Sequence, residues 1–208
     1  MDVGENTIEL RSFKSRKNRA SLYRSESGLL VKKSFTSRAA FEREREVYLL
    51  LRETSLAAPR LLGVGENVLW LSYIEGATLL EALEEQESRG EADFEIWCAL
   101  ARWLKNFFTA TRMIMLDVNL NNFIYNPQSG ILYGLDFEEC AQGDLIECAA
   151  ALTAFVKLYN PELSRVKMQA AAFLRESFLA NDGDGAEFDA LELKKIEELR
   201  RRRQAKRG

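Results

Sequence analysis

The chain has no histidine, and that absence removes whole classes of chemistry. Ser-His-Asp and Cys-His catalysis, HExxH zinc sites and Cys2His2 fingers all require an imidazole. Any general base here is a carboxylate, a lysine, a tyrosine or a cysteine, and 32 Asp and Glu put carboxylates first. Cysteine is also scarce. Cys98, Cys140 and Cys148 are odd in number and lack CxxC spacing. They read as small apolar fillers in a reduced, cytoplasmic protein. No long apolar run occurs. Cys148–Val156 comes nearest and is broken by Thr153, far short of a membrane span. The opening Met1-Asp2-Val3-Gly4-Glu5 shows no basic stretch followed by an apolar core, so no secretory signal is expected.

What is present suits a folded protein of one or two domains: 208 residues, 47% hydrophobic and 29% charged. The net charge of −3 is unevenly spread. Residues 194–208 carry eight basic and two acidic side chains, which leaves the body acidic. A body of that sign is not a general nucleic-acid binder.

Residues 1–28 are polar, with a basic patch at Lys14–Arg19. Leu29–Phe35 reads as a strand with Val31, Lys33 and Phe35 on one face. Ala39–Glu53 reads as a helix, with Phe41, Glu44, Tyr48 and Leu51 at helical spacing. Gly63-Val64-Gly65 reads as a turn after Pro59, and Val68–Ile74 as a second strand. From Leu79 the pattern becomes helical: Leu79–Glu87, Phe94–Phe108, Leu145–Tyr159, Pro161–Leu179 and Ala190–Arg203. One hairpin interrupts it, Phe123–Tyr125 and Ile131–Leu135, around Asn126-Pro127-Gln128-Ser129-Gly130. Asn181–Gly185 reads as a flexible joint. The expected fold is α+β, with a cleft between a strand-rich part (1–75) and a mainly helical part (76–180), followed by a linker and basic tail (181–208).

Three oxygen-bearing residues flank the hairpin. Asp117 and Asn122 lie five apart across a loop, and Asp136 ends the returning strand. A carboxylate, an amide and a second carboxylate form a hard donor set of the kind Mg2+ accepts beside phosphate. In the strand-rich part, Glu44 sits on the apolar helix face between Phe41 and Tyr48. A buried carboxylate needs a partner, and Lys33 is the candidate. Lys32 takes that role if the strand register slips by one.

Asp117-x4-Asn122 followed by Asp136-Phe137-Glu138, with Lys33 and Glu44 ahead of them, resembles the protein-kinase-like superfamily. The Asp-Phe-Glu form resembles choline and ethanolamine kinases, and the wider style resembles aminoglycoside phosphotransferases and the KEOPS-type small kinases. The resemblance implies a bilobal kinase-like fold with an antiparallel-sheet lobe plus one helix and a reduced helical lobe. It implies ATP and Mg2+ as cofactors and phosphoryl transfer to a hydroxyl, with a small-molecule acceptor. Asp117 would be catalytic, Asn122 and Asp136 would hold metal, and Lys33 with Glu44 would grip the α- and β-phosphates. The backbone at Tyr73 and Ile74 would meet the adenine. A non-catalytic pseudokinase and a KEOPS-like ATPase linked to tRNA modification remain as alternatives. The departures are specific: no GxGxxG precedes the lysine strand, Leu116 precedes Asp117, and Asn119 stands where protein kinases carry a lysine. Glu147 replaces an expected Asp after Gly143-Asp144.

Two readings remain open at this level. The acidic run Glu81, Glu84, Glu85, Glu87, Glu91, Asp93 and Glu95 is either a solvated helix face or a surface for a cationic acceptor. The basic tail, Arg200–Arg207 in particular, is either a solvated helix end or a contact for RNA or a protein partner. In either case residues 194–208 are expected to form a mostly exposed helix that adds little to the fold.

Overall fold

The computed structural model of the chain describes residues 7–13, 17–180 and 184–205. Part of the basic patch (14–16), part of the joint (181–183) and the end of the tail (206–208) lie outside them. Five antiparallel strands open the fold: β1 (Ile8–Phe13), β2 (Arg19–Ser25), β3 (Gly28–Ser34), β4 (Leu61–Gly65) and β5 (Val68–Ser72), in the order β1-β2-β3-β5-β4. Helix α1 (Arg38–Leu51) connects β3 to β4. Ser37 caps it by accepting the Ala40 N–H. Its buried stripe is Phe41, Glu44, Val47, Tyr48 and Leu51.

Two of these strands correct the sequence reading of 1–28 as a polar lead-in. β1 is an edge strand with Ile8 and Leu10 exposed, so it carries no inward alternation that sequence could reveal. β2 buries Ser21 and Leu22. Gly63–Gly65 is likewise an exposed edge strand, and the turn falls after it, at Glu66-Asn67.

The remainder is mainly helical: α2 (Leu79–Arg89), α3 (Phe94–Thr111), α4 (Leu145–Leu158), α5 (Arg165–Leu179) and α6 (Gly185–Gln204). Short strands join them. β6 (Ala77–Thr78) pairs with β8 (Phe123–Asn126), β8 with β9 (Ile131–Gly134), and β7 (Ile114–Met115) with β10 (Cys140–Ala141). Thr78 and Glu81 form a capping box on α2. Asp144 caps α4 by accepting the Ile146 N–H. α5 begins at Arg165 behind the Ser164 cap, later than the pattern predicts, because residues 161–163 turn the chain, with Leu163 at a positive φ of 59°. Trp97, Trp103 and Phe107 are core residues, and Cys140 and Cys148 are buried fillers. Cys98 is exposed, because its side of α3 faces away from the core.

The last helix corrects part of a second expectation: residues 194–205 are mostly exposed, as expected, but they continue a longer helix that begins at Gly185. α6 packs along α4 and buries Phe188, Glu192 and Leu199. Lys157 of α4 meets Glu192 at 2.7 Å, and Arg200 and Arg203 reach Glu162 at 3.6 and 2.7 Å. The helix is therefore docked rather than loosely appended. Arg201 and Arg202 remain exposed.

Candidate active site

The site is assembled where β3, α1 and the segment after β9 meet. Lys33 leaves β3 on the side facing α1, and its Nζ donates to Glu44 Oε2 at 2.6 Å and to Asp136 Oδ1 at 2.5 Å. Lys32 points the other way, with its amine over the Trp70 ring at 5.3 Å from the centroid. The register therefore places Lys33, not Lys32, on Glu44.

Glu44 is fully buried, and its Oε1 has no hydrogen-bond partner among the described residues. A third carboxylate, Glu138, lies 3.6 Å from the same ammonium. Oxygens of Glu44, Asp136 and Glu138 all fall within 4.8 Å of one another. One cation cannot neutralise three carboxylates, and the most buried of them responds. Burial pushes the Glu44 carboxyl up from 4.5 to about 7, with Lys33 pulling the other way. Burial alone would lower Lys33, but Glu44 and Asp136 outweigh it and hold the amine above its ordinary range. Glu138 is also raised, by burial first, against Lys33.

Packing sets the position of Asp136. Phe137, fully buried, stacks near-parallel to Trp103 and Phe107 at 6.2 and 5.6 Å between centroids. It meets Tyr48 edge-on at 5.1 Å. Tyr48 lies one helical turn beyond Glu44, so the same ring fixes the Asp136 segment and the face of α1. Ahead of Asp136, Gly134 leaves room for Trp103: a Cβ there would lie 2.2 Å from the indole. Asp136 itself has φ of 61°, a left-handed conformation uncommon outside glycine and tolerated best by Asn and Asp. Strain of that kind is held in place by its surroundings and clusters at functional sites.

Asn122 is buried, and its Nδ2 donates to the Asp117 carbonyl at 2.8 Å. The Asn122 carbonyl in turn accepts the Leu135 N–H at 2.8 Å, which ties Asn122 to the residue before Asp136. The Asp117 side chain is exposed. Tyr73 and Ile74 follow β5 and are half-buried. The Tyr73 N–H donates to the Leu29 carbonyl at 3.4 Å. The structure thus joins Lys33, Glu44 and Asp136 directly and links the Asn122 side chain to the Asp117 main-chain carbonyl.

Four residues enter that the sequence reading left without a role. Asn18 Nδ2 donates to Glu138, and Asn18 Oδ1 accepts the Thr36 N–H at 3.2 Å. Lys17 pairs with Glu139. Glu138 was visible within Asp136-Phe137-Glu138, but Asn18 is separated from it by 120 residues and no spacing rule connects them. A groove of about 450 Å3 lies elsewhere, between the α1–β4 connection and the outer face of α3 near Arg102 and Asn106. It contains neither Lys33 nor Asp136, so the convergent charges mark the chemistry better than the concavity does.

A bound Mg2+ fits the donors present. Asp136 keeps one carboxylate oxygen beyond its Lys33 contact, and Asn122 keeps its amide oxygen because its nitrogen is committed to Asp117. These are hard oxygen donors in a region of excess negative charge.

No protein-family model and no curated protein matches the chain. In structure it is similar to the kinase PK-1 of Cydia pomonella granulovirus, with a TM-score of 0.54 and 17% identity over 66% of this chain. The match takes in 55% of PK-1, so this chain spans about half of that kinase. In all, 1692 solved chains match in structure, so the architecture is widely shared and by itself names no substrate. The likeness shows the fold, and the chain has a protein-kinase-like fold.

Proposed function

We propose that this protein is an ATP- and Mg2+-dependent phosphotransferase that passes the γ-phosphate to a hydroxyl of a small-molecule acceptor. The observation that carries this reading is Lys33, held at once by Glu44 from α1 and by Asp136 from the segment after β9. That arrangement supports the reading because a phosphate-gripping cation and a metal-binding carboxylate would have to meet at one point of a kinase-like fold.

In this reading the nucleotide lies between the strand-rich part and the helical part, with the backbone at Tyr73 and Ile74 beside the base. Lys33 moves from Asp136 to the α- and β-phosphates while Glu44 keeps it oriented. Asn122 and Asp136 hold Mg2+, which when bound neutralises phosphate charge and fixes the geometry of the polyphosphate. Asp117 accepts a hydrogen bond from the acceptor hydroxyl and aims it at the γ-phosphorus. The new O–P bond forms as the bond to the β–γ bridging oxygen breaks. ADP leaves with that electron pair, and the hydroxyl proton passes to Asp117. Positioning and charge neutralisation supply the rate. A cytoplasmic setting supplies the ATP, and no helix of the described residues is long and apolar enough to cross a membrane.

The decisive measurement is ADP release across a panel of amino alcohols, aminoglycosides and other hydroxyl metabolites, beside a thermal shift with Mg·ATP. Asp117→Ala is expected to keep Mg·ATP binding within a few-fold and to lower turnover by about 10²-fold or more. A shift with no ADP release for any acceptor would move the pseudokinase reading ahead. Full turnover by Asp117→Ala on a verified acceptor would remove Asp117 from the mechanism.

A further inference from the structure

A γ-phosphate beside Asp117 is poorly supplied with cations from its own loop. Val118, Asn119, Leu120 and Asn121 carry no charge. Asn119 accepts the Asn121 N–H at 3.0 Å and so caps the short turn that follows. Lys33 is already held by Glu44 and Asp136.

A cation arrives from the opposite direction. Lys17, just ahead of β2, forms an ion pair with Glu139. Glu139 in turn sits next to the loop that carries Asp117, because its carbonyl accepts the Leu116 N–H at 3.2 Å and Cys140 pairs with Met115. The backbone of Lys17 is fixed there. Its carbonyl accepts the Thr36 hydroxyl at 3.1 Å, and its neighbour Asn18 is buried between Thr36 and Glu138. The Lys17 side chain is nevertheless 66% exposed, so the amine is free to change partners without disturbing the core. Its field is consistent with this placement. The Glu139 carboxylate first, then Glu138 and Asp117, hold the amine above its ordinary range.

We propose that Lys17 is a γ-phosphate ligand: its ammonium leaves Glu139 and takes a γ-phosphate oxygen from across the cleft, opposite Asp117. This rests on the phosphotransferase reading and adds a residue to it. It also gives a physical account of the β1–β2 connection, whose sequence Lys14-Ser15-Arg16-Lys17-Asn18 contains no glycine. Glycines let backbone N–H groups approach phosphate closely. A long lysine side chain reaches the same oxygen with the backbone held back at Thr36 and Glu138.

The test is calorimetric affinity for Mg·ATP and Mg·ADP in the full chain, for wild type, Lys17→Ala, Lys17→Arg and Glu139→Gln. Lys17→Ala is expected to weaken Mg·ATP about tenfold, the worth of one charge-assisted contact, and to leave Mg·ADP within about twofold. Lys17→Arg should keep most of the ATP affinity. Glu139→Gln, which releases Lys17 from its resting partner, should tighten Mg·ATP a few-fold. Equal loss for both nucleotides in Lys17→Ala, or no loss for either, overturns the assignment while leaving the phosphotransferase reading in place. A wild-type protein that binds neither nucleotide overturns that reading and the assignment with it.

Discussion

Glu44→Gln, measured as stability against pH, tests how this fold carries three carboxylates on one ammonium. In the wild type, Glu44 is fully buried and its carboxyl is raised from 4.5 to about 7. The folded protein therefore holds a proton that the unfolded chain releases above 4.5. The stability linked to that proton is complete below 4.5 and is lost as the pH rises through about 7. The interval corresponds to about 3 kcal/mol. Glutamine keeps the shape and removes the titration. The stability of Glu44→Gln relative to wild type should therefore improve by about 2–3 kcal/mol between pH 5 and pH 8. Lys33→Met should show the opposite trend. Without the ammonium, an ionised Glu44 is an unpaired buried charge, which costs about 3–5 kcal/mol at pH 8. That cost should shrink toward pH 5, where Glu44 is neutral. Urea unfolding followed by tryptophan fluorescence at four pH values gives both curves, provided the m-value is unchanged. A Glu44→Gln difference that stays flat across this range would show that Glu44 remains ionised beneath Lys33, and the charge argument would fail.

Two further outcomes follow from the same geometry. Asp136→Asn should abolish Mg2+-dependent stabilisation by ATP while changing apo stability by only about 1 kcal/mol, since the side chain is 38% exposed and Asn accepts the positive φ; a collapse of the apo protein in the same melting experiment would mark Asp136 as structural. Phe188→Ala should cost about 3–5 kcal/mol by denaturant titration because the ring is fully buried where α6 docks, and a loss under about 1 kcal/mol would show that α6 contributes little after all.

The parts of the site that were legible in sequence are those where a local rule acts alone. Glu44 stood out because helical spacing placed a carboxylate among Phe41, Tyr48 and Leu51, and a buried carboxylate demands a cation. Asp117, Asn122 and Asp136 stood out by spacing around a hairpin with strong turn chemistry. The choice between Lys32 and Lys33 was not settled by pattern, because both neighbours in a strand are candidates until the register with β2 and β5 is known. β1 and β4 were missed because edge strands expose both faces and carry no inward alternation. The docking of α6 was missed for a related reason. Its buried seam is only Phe188, Glu192 and Leu199, and one of those is a charge matched by Lys157 from another helix. Contacts across large sequence separation, such as Asn18 with Glu138, leave no local trace at all.

The charges around Lys33 and Lys17 also bear on what can bind there. Glu44, Asp117, Asp136, Glu138 and Glu139 face two ammonium groups, Lys17 and Lys33, each of which already rests on a carboxylate. Even with a proton on Glu44 the region stays negative. A free polyphosphate would meet repulsion there, and at the short distances of this cluster that repulsion is weakly screened by salt. On the phosphotransferase reading, then, the divalent cation is required for entry as well as for transfer. Asp136 would then serve as a metal ligand rather than a repulsive group, and Lys33 would be free for the phosphates. The proposed exchange at Lys17 would follow the same rule, since its ammonium would leave Glu139 only for a stronger anion. On that reading both lysines are held in reserve by carboxylates that a nucleotide would have to displace. Such a site would discriminate by phosphate count, because each added phosphate would recruit a further cation. Affinity should therefore rise steeply from AMP to ADP to ATP in the presence of Mg2+. A flat series would mean that the base and ribose, not these charges, carry the binding.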